Sequence, residues 1–135
     1  MKKLVSLIVV SCFLVFICSG CKAIKIEEAE REQLEYTLIQ QDEVPETIKS
    51  LIEDRKMKEF QFTYKSGEEL YLFKGYGQQM TGGYSIQVAD LSESENAIFF
   101  ETRLIGPEEV DAGSEPSYPY IGVKLEYRDK PVQFR

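Results

Sequence analysis

A mainly β fold with one short helix, built as a small antiparallel β-sandwich or barrel, is predicted by three observations. Apolar and polar residues alternate with a period of two through most of the chain after Lys58. Clusters of Gly, Pro, Ser and Asn cut that alternation into six or seven short runs. One stretch alone, about 45–56, carries helical spacing.

Each element has its own warrant. Leu34 to Gln40 (LEYTLIQ) is rich in β-branched and aromatic residues and reads as a strand. Asp42 and Pro45 then precede Ile48, Leu51 and Ile52, which fall on one face of a short helix with Asp42 or nearby groups as its start signal. Phe60, Phe62 and Tyr64 alternate with Glu59, Gln61 and Thr63, and Ser66-Gly67 turns the chain into the next strand, Glu69 to Lys74. Tyr84 to Val88 alternates cleanly, Ser92 to Asn96 reads as a polar turn, and Ala97 to Arg103 is a further strand. A long loop spans about 104–117. Ile121, Val123 and Leu125 alternate next, and Pro131 opens a short terminal strand bearing Val132 and Phe134. The helix is expected to plug one end of this assembly or cover one face.

The chain has 135 residues, enough for one domain, with 16 Lys and Arg against 23 Asp and Glu and a formal charge of −7. It contains no His, which excludes Ser-His-Asp and Cys-His catalysis and every His-based metal site. Its acidity opposes binding to nucleic acid phosphates and to anionic headgroups.

Met1-Lys2-Lys3 is a basic start, followed by 14 residues, Leu4 to Ile17, interrupted only by Ser6 and Ser11. A run of this length is short for a spanning helix and fits a secretory signal. Its exit, Ser19-Gly20-Cys21, resembles the lipobox of bacterial lipoproteins, although Cys18 occupies the position usually held by Leu. That resemblance implies cleavage between Gly20 and Cys21 and thioether linkage of Cys21 to diacylglycerol. The chain then divides into a signal over 1–20, a lipidated Cys and charged tether over 21–33, and one β-rich domain over 34–135. Cys12 and Cys18 depart with the signal, so the domain carries no disulfide. Loss of Lys2 and Lys3, and of no acid, takes the formal charge from −7 to −9. The membrane is reached through the lipid, on the extracytoplasmic face.

Gly75-Tyr76-Gly77-Gln78-Gln79-Met80-Thr81-Gly82-Gly83-Tyr84 holds four of the nine glycines. No Gly-Lys-Ser/Thr follows, and a strand comes next instead of a helix, so this is no phosphate loop. Ser117-Tyr118-Pro119-Tyr120 stands directly before a strand, and Ile105-Gly106-Pro107 forms a third turn. Tyrosines on rigid loops are typical binding anchors when exposed and end caps of a sandwich when buried. The acidic loop Glu108, Glu109, Asp111 and Glu115 lacks EF-hand spacing, and no Ser after Cys21 has a Lys three residues on. Neither a metal, a cofactor nor a catalytic residue is expected.

Gly75-Tyr76-Gly77-Gln78, Thr81-Gly82-Gly83-Tyr84-Ser85-Ile86, Gly106-Pro107, Ser117-Tyr118-Pro119-Tyr120 and Lys130-Pro131-Val132 with Phe134 together resemble the C-terminal domain of the PrcB family, over about 70–135. Met80 stands where a Pro often precedes the T-G-G-Y block, and the loop at 104–117 keeps only Gly106-Pro107 of a Pro-Gly-Pro form. The resemblance implies a lipoprotein subunit of a bacterial surface protease complex, accessory and non-catalytic. Thr81-Gly82 with Tyr84 is also similar to the T-G-aromatic loop of chagasin-type protease inhibitors.

The expected function is therefore protein binding through one loop-bearing end, with an exported protease as the partner class. Tyr76, Tyr84, Tyr118 and Tyr120 would serve as anchors. Gly75, Gly77, Thr81, Gly82 and Gly83 would shape the loop, and Pro107 and Pro119 would stiffen it. A module binding a small ligand or envelope polymer is the alternative, and it requires a concave, aromatic-lined pocket.

Overall fold

A computed structural model describes residues 30–108 and 115–135. The segment expected to be a signal, the expected cleavage and lipidation site at Gly20 and Cys21, and most of the expected tether lie outside the described residues, as does the acidic loop over 109–114. Eight strands are present: β1 (Glu32–Gln33), β2 (Thr37–Leu38), β3 (Glu59–Ser66), β4 (Glu69–Tyr76), β5 (Ser85–Glu93), β6 (Ile98–Ile105), β7 (Tyr120–Glu126) and β8 (Val132–Phe134). Helix α1 (Glu46–Arg55) separates β2 from β3 in the chain.

The strands form two sheets of four, in the orders β1-β5-β6-β8 and β2-β7-β4-β3. They face each other as a sandwich and do not close into a barrel. Leu70, Leu72, Val123 and Leu125 of the second sheet meet Leu91, Ile98 and Phe100 of the first. Alternation within each strand selects these side chains, because successive residues point to opposite faces. The opposite face of the second sheet carries Phe60 and Phe73, and α1 covers them with Ile48 and Ile52, together with Val44 just before the helix. Burial of each of these aliphatic side chains contributes roughly 1.5–3 kcal/mol. The helix thus lies on a sheet face and does not plug an end.

All strand pairs but one are antiparallel. The exception is β8, which runs parallel to β6 with Val132 beside Ile98. The cause is chain path: β7 ends at the pole where β6 begins, so β8 enters the first sheet from that same pole.

Several boundaries differ from expectation. The strand read over Leu34 to Gln40 is regular only at Thr37–Leu38. The tether is not wholly free of the body, since Glu32 and Gln33 pair with Glu93 and Ser92. Arg31 anchors this entry, its guanidinium 3.4 Å from Asp90 Oδ2 and 4.1 Å from the centre of the Phe99 ring. Strand β5 runs to Glu93 and not to Val88, because a bulge between Val88 and Asp90 shifts the alternation phase. Ile86 and Val88 face inward before the bulge and Leu91 after it. Ser92 and Ser94, read as turn residues, are buried.

Strand polarity gives the sandwich two distinct poles. The ends of β4 and β6 and the starts of β5 and β7 share one pole, since Gly75 pairs with Tyr120 and Ser85 with Ile105. The tether enters at the other, beside Glu93.

Candidate protein-binding site

The three predicted segments, 75–84, 105–107 and 117–120, all lie at the pole opposite the tether. Two chain connections build it: 77–84 joins β4 to β5, and 106–119 joins β6 to β7. Backbone hydrogen bonds tie them together. Gln79 N donates to Ser117 O at 2.8 Å, and Ser117 N donates back to Gln79 O at 3.0 Å. Ser117 Oγ donates to Thr81 O at 2.6 Å, and Tyr76 N donates to Pro119 O at 3.1 Å. A third strut reaches the end of α1, where Gln78 N donates to Met57 O at 3.2 Å.

Two glycines make this construction possible. Gly77 has φ +75°, and a Cβ there would stand 3.0 Å from Glu59 N, so a side chain is strained by conformation and crowds the β3 backbone. At Gly75 the Phe60 ring occupies the volume a Cβ would need. The ring that α1 packs upon therefore depends on the absence of a side chain in β4.

The predicted anchors separate into different roles. Tyr76 turns between the sheets, where its hydroxyl is hydrogen-bonded to Thr102 Oγ1 at 2.5 Å. Lys74, itself buried, lies 5.2 Å from the Tyr76 ring and donates to Glu59 Oε1 at 2.7 Å. Tyr120 packs with the cluster under α1, and burial first, then the Glu53 charge, raise its phenol pKa above the usual tyrosine range. Tyr118 lies over the helix end with the Lys56 ammonium 4.6 Å from its ring centre. Tyr84 is half-buried and flanks Gly106. Thr81, Gly82, Pro107 and Pro119 are half-buried, and Gly83, with φ +82°, is exposed.

The predicted segments 75–84 and 105–107 contain Met80 and Ile105 without naming either as an anchor, and Met57, in the connection from α1 to β3, lies outside every predicted segment. Met80 is 82% exposed, Met57 55% and Ile105 45%. Their signal is positional: each is a large apolar residue in a connection or at a strand end, where no sheet face covers it.

The cavities argue against an enclosed ligand chamber. The groove bearing Tyr118 and Tyr120 has a volume of about 540 Å³ and is also lined by Asp42, Lys49, Glu53 and Lys56. It is open and of mixed charge. A larger groove, about 1110 Å³, lies elsewhere, along Gln33–Thr37 and Glu68–Glu69. Among the described residues, no buried side-chain polar atom lacks a partner and no group of acidic or Cys side chains is arranged to hold a metal.

The family model described as PrcB C-terminal matches residues 70–126. That span runs from β4 through β7 and contains the two long connections of the loop pole, 77–84 and 106–119, while Met57 lies outside it. Among curated proteins and among solved structures, no significant match exists.

Proposed function

We propose that this chain is a lipid-anchored, extracytoplasmic accessory subunit that performs no catalysis and binds a protein partner, an exported protease, at its loop pole. The observation that carries this reading is the presentation of Met57, Met80 and Ile105 on a pole cross-tied by the Gln79–Ser117 and Thr81–Ser117 hydrogen bonds. Apolar side chains held on rigid loops lose little entropy on binding. The family match over 70–126 supports the protease-associated assignment, since it covers both long connections of this pole with Met80 and Ile105, and not the helix. The tether enters at the opposite pole, which leaves the loops clear of the anchoring segment.

The test is capture of partners from intact cells by the native chain, by Met80→Glu and by Tyr118→Ala. A residue at the centre of an interface contributes about 2 kcal/mol or more, a loss of roughly 30-fold in affinity. Both variants should lose the captured protein while their thermal unfolding stays within a few degrees of native. Undiminished capture by both variants would remove the loop pole from the proposal.

A further inference from the structure

The four outermost strands of the two sheets are β1, β8, β2 and β3. Three are two or three residues long, whereas β3 has eight, Glu59 to Ser66, with no Pro and no bulge in its register with β4. Natural sheets blunt an edge of this length or pair it. Nothing among the described residues pairs with it. Beside its inner face runs an open groove of about 490 Å³ between Gln61, Thr63 and Lys65 on one side and Val132 and Phe134 on the other.

The turn decides which residues offer their backbone to the edge. Gly67 has φ +61°, and Glu68 has no positive φ, so Gly67-Glu68 is a two-residue turn with Gly at its first central position. Such a turn closes on a hydrogen-bonded pair, here Ser66 and Glu69, and hydrogen-bonded pairs then alternate along the hairpin. Tyr64, Phe62 and Phe60 therefore direct their backbone groups to β4. Glu59, Gln61, Thr63 and Lys65 direct theirs outward.

We propose that β3 pairs antiparallel with β3 of a second copy, about a two-fold axis through Phe62. In this register Gln61 stands opposite Thr63 of the other copy, and Glu59 stands opposite its Lys65. These four residues are the ones with outward backbone groups, so the hydrogen-bonding phase and the charge pairing agree. On the other face Phe62 meets Phe62, and Phe60, whose ring lies over Gly75, is in register with Tyr64. Aromatic and opposite-charge pairs are the favourable cross-strand combinations. Moving the register by two residues would set Phe62 opposite Tyr64 but would place Glu59 opposite Gly67, losing the charge pair. Existing contacts do not stand in the way: Glu59 is bonded to Lys74 through one oxygen, with its side chain 64% exposed, and Lys65 lies 4.0 Å from the Tyr127 ring. The two sheets become one of eight strands, and the two loop poles lie at opposite ends of the pair. The inference does not depend on lipidation or on the function proposed for the loops.

Disulfide trapping reads the register directly. Full-length Gln61→Cys and Thr63→Cys chains, in detergent, are oxidised separately and as a mixture, and cross-links are identified by peptide mass, which separates them from links through native cysteines. The mixture should form a 61–63 link between chains, and neither variant alone should link through its new cysteine. Sedimentation of the native chain should give two copies per particle. Thr63→Pro removes an outward N–H at an edge position and should give one copy with unchanged secondary structure. A monomeric native chain, or trapping by Thr63→Cys alone equal to that of the mixture, would overturn the proposal.

Discussion

Gly77 is the residue on which the loop pole turns. Its φ of +75° and the Glu59 backbone 3.0 Å from a Cβ position strain any side chain there, so Gly77→Ala should lower unfolding free energy by about 1–3 kcal/mol, read by urea denaturation. Tyr76 has the opposite character to the one its sequence neighbourhood suggests. Because its hydroxyl is engaged with Thr102 between the sheets, Tyr76→Phe should cost about 1 kcal/mol of stability and leave partner capture unchanged. Tyrosines also set the alkaline limit of the fold. The Tyr71 phenol is raised by burial first, then by its hydrogen bond to Glu69 and by the charges of Glu69 and Tyr64, and Tyr120 is raised by burial and Glu53. A raised folded-state pKa contributes stability that is fully present below the unfolded value, about 10, and that is lost as pH rises through the folded values. The urea midpoint should therefore fall above about pH 10, and fall less in Tyr71→Phe/Tyr120→Phe.

Among the elements, α1 carries the clearest stability test. Ile48 and Ile52 are buried against Phe60 and Phe73, so Ile52→Ala should cost about 2–4 kcal/mol in chemical denaturation and expose the aromatic face of β3 and β4. The helix and the strands β3 and β7 were legible in the sequence from their periodicity, and β4 and β6, apolar on both faces at their centres, from apolar runs bounded by turn residues. Strand β5 was legible only to Val88, since its bulge moves the inward residues from Ile86 and Val88 to Leu91 and breaks the pattern. Strands β1 and β2, of two residues each, are too short for any period to register. Phe99 shows a further limit. It is fully buried on the outer face of its sheet, where the guanidiniums of Arg31 and Arg135 lie 4.1 and 5.0 Å from its ring centre. No local pattern reveals a contact made by the two ends of the domain.

For the whole molecule, the sandwich explains why three segments scattered over 75–120 converge. Antiparallel pairing of β4 with β7 and of β5 with β6 brings both long connections to one pole. Spacing of Gly, Pro and Tyr at strand ends made that convergence readable from sequence. The fate of each tyrosine was not readable, because the pleat decides whether a side chain points between the sheets, as Tyr76 does, or toward the helix, as Tyr120 does. The same architecture sets the tether and the loops at opposite poles. The central claim, a partner bound at the loop pole, is tested most directly by a photo-crosslinking amino acid placed at Met80 and, separately, at Asp129 on the tether pole, in intact cells. The account predicts one discrete cross-linked protein, a protease, from position 80 and none from position 129. No cross-link at 80, or the same protein from both positions, would contradict it.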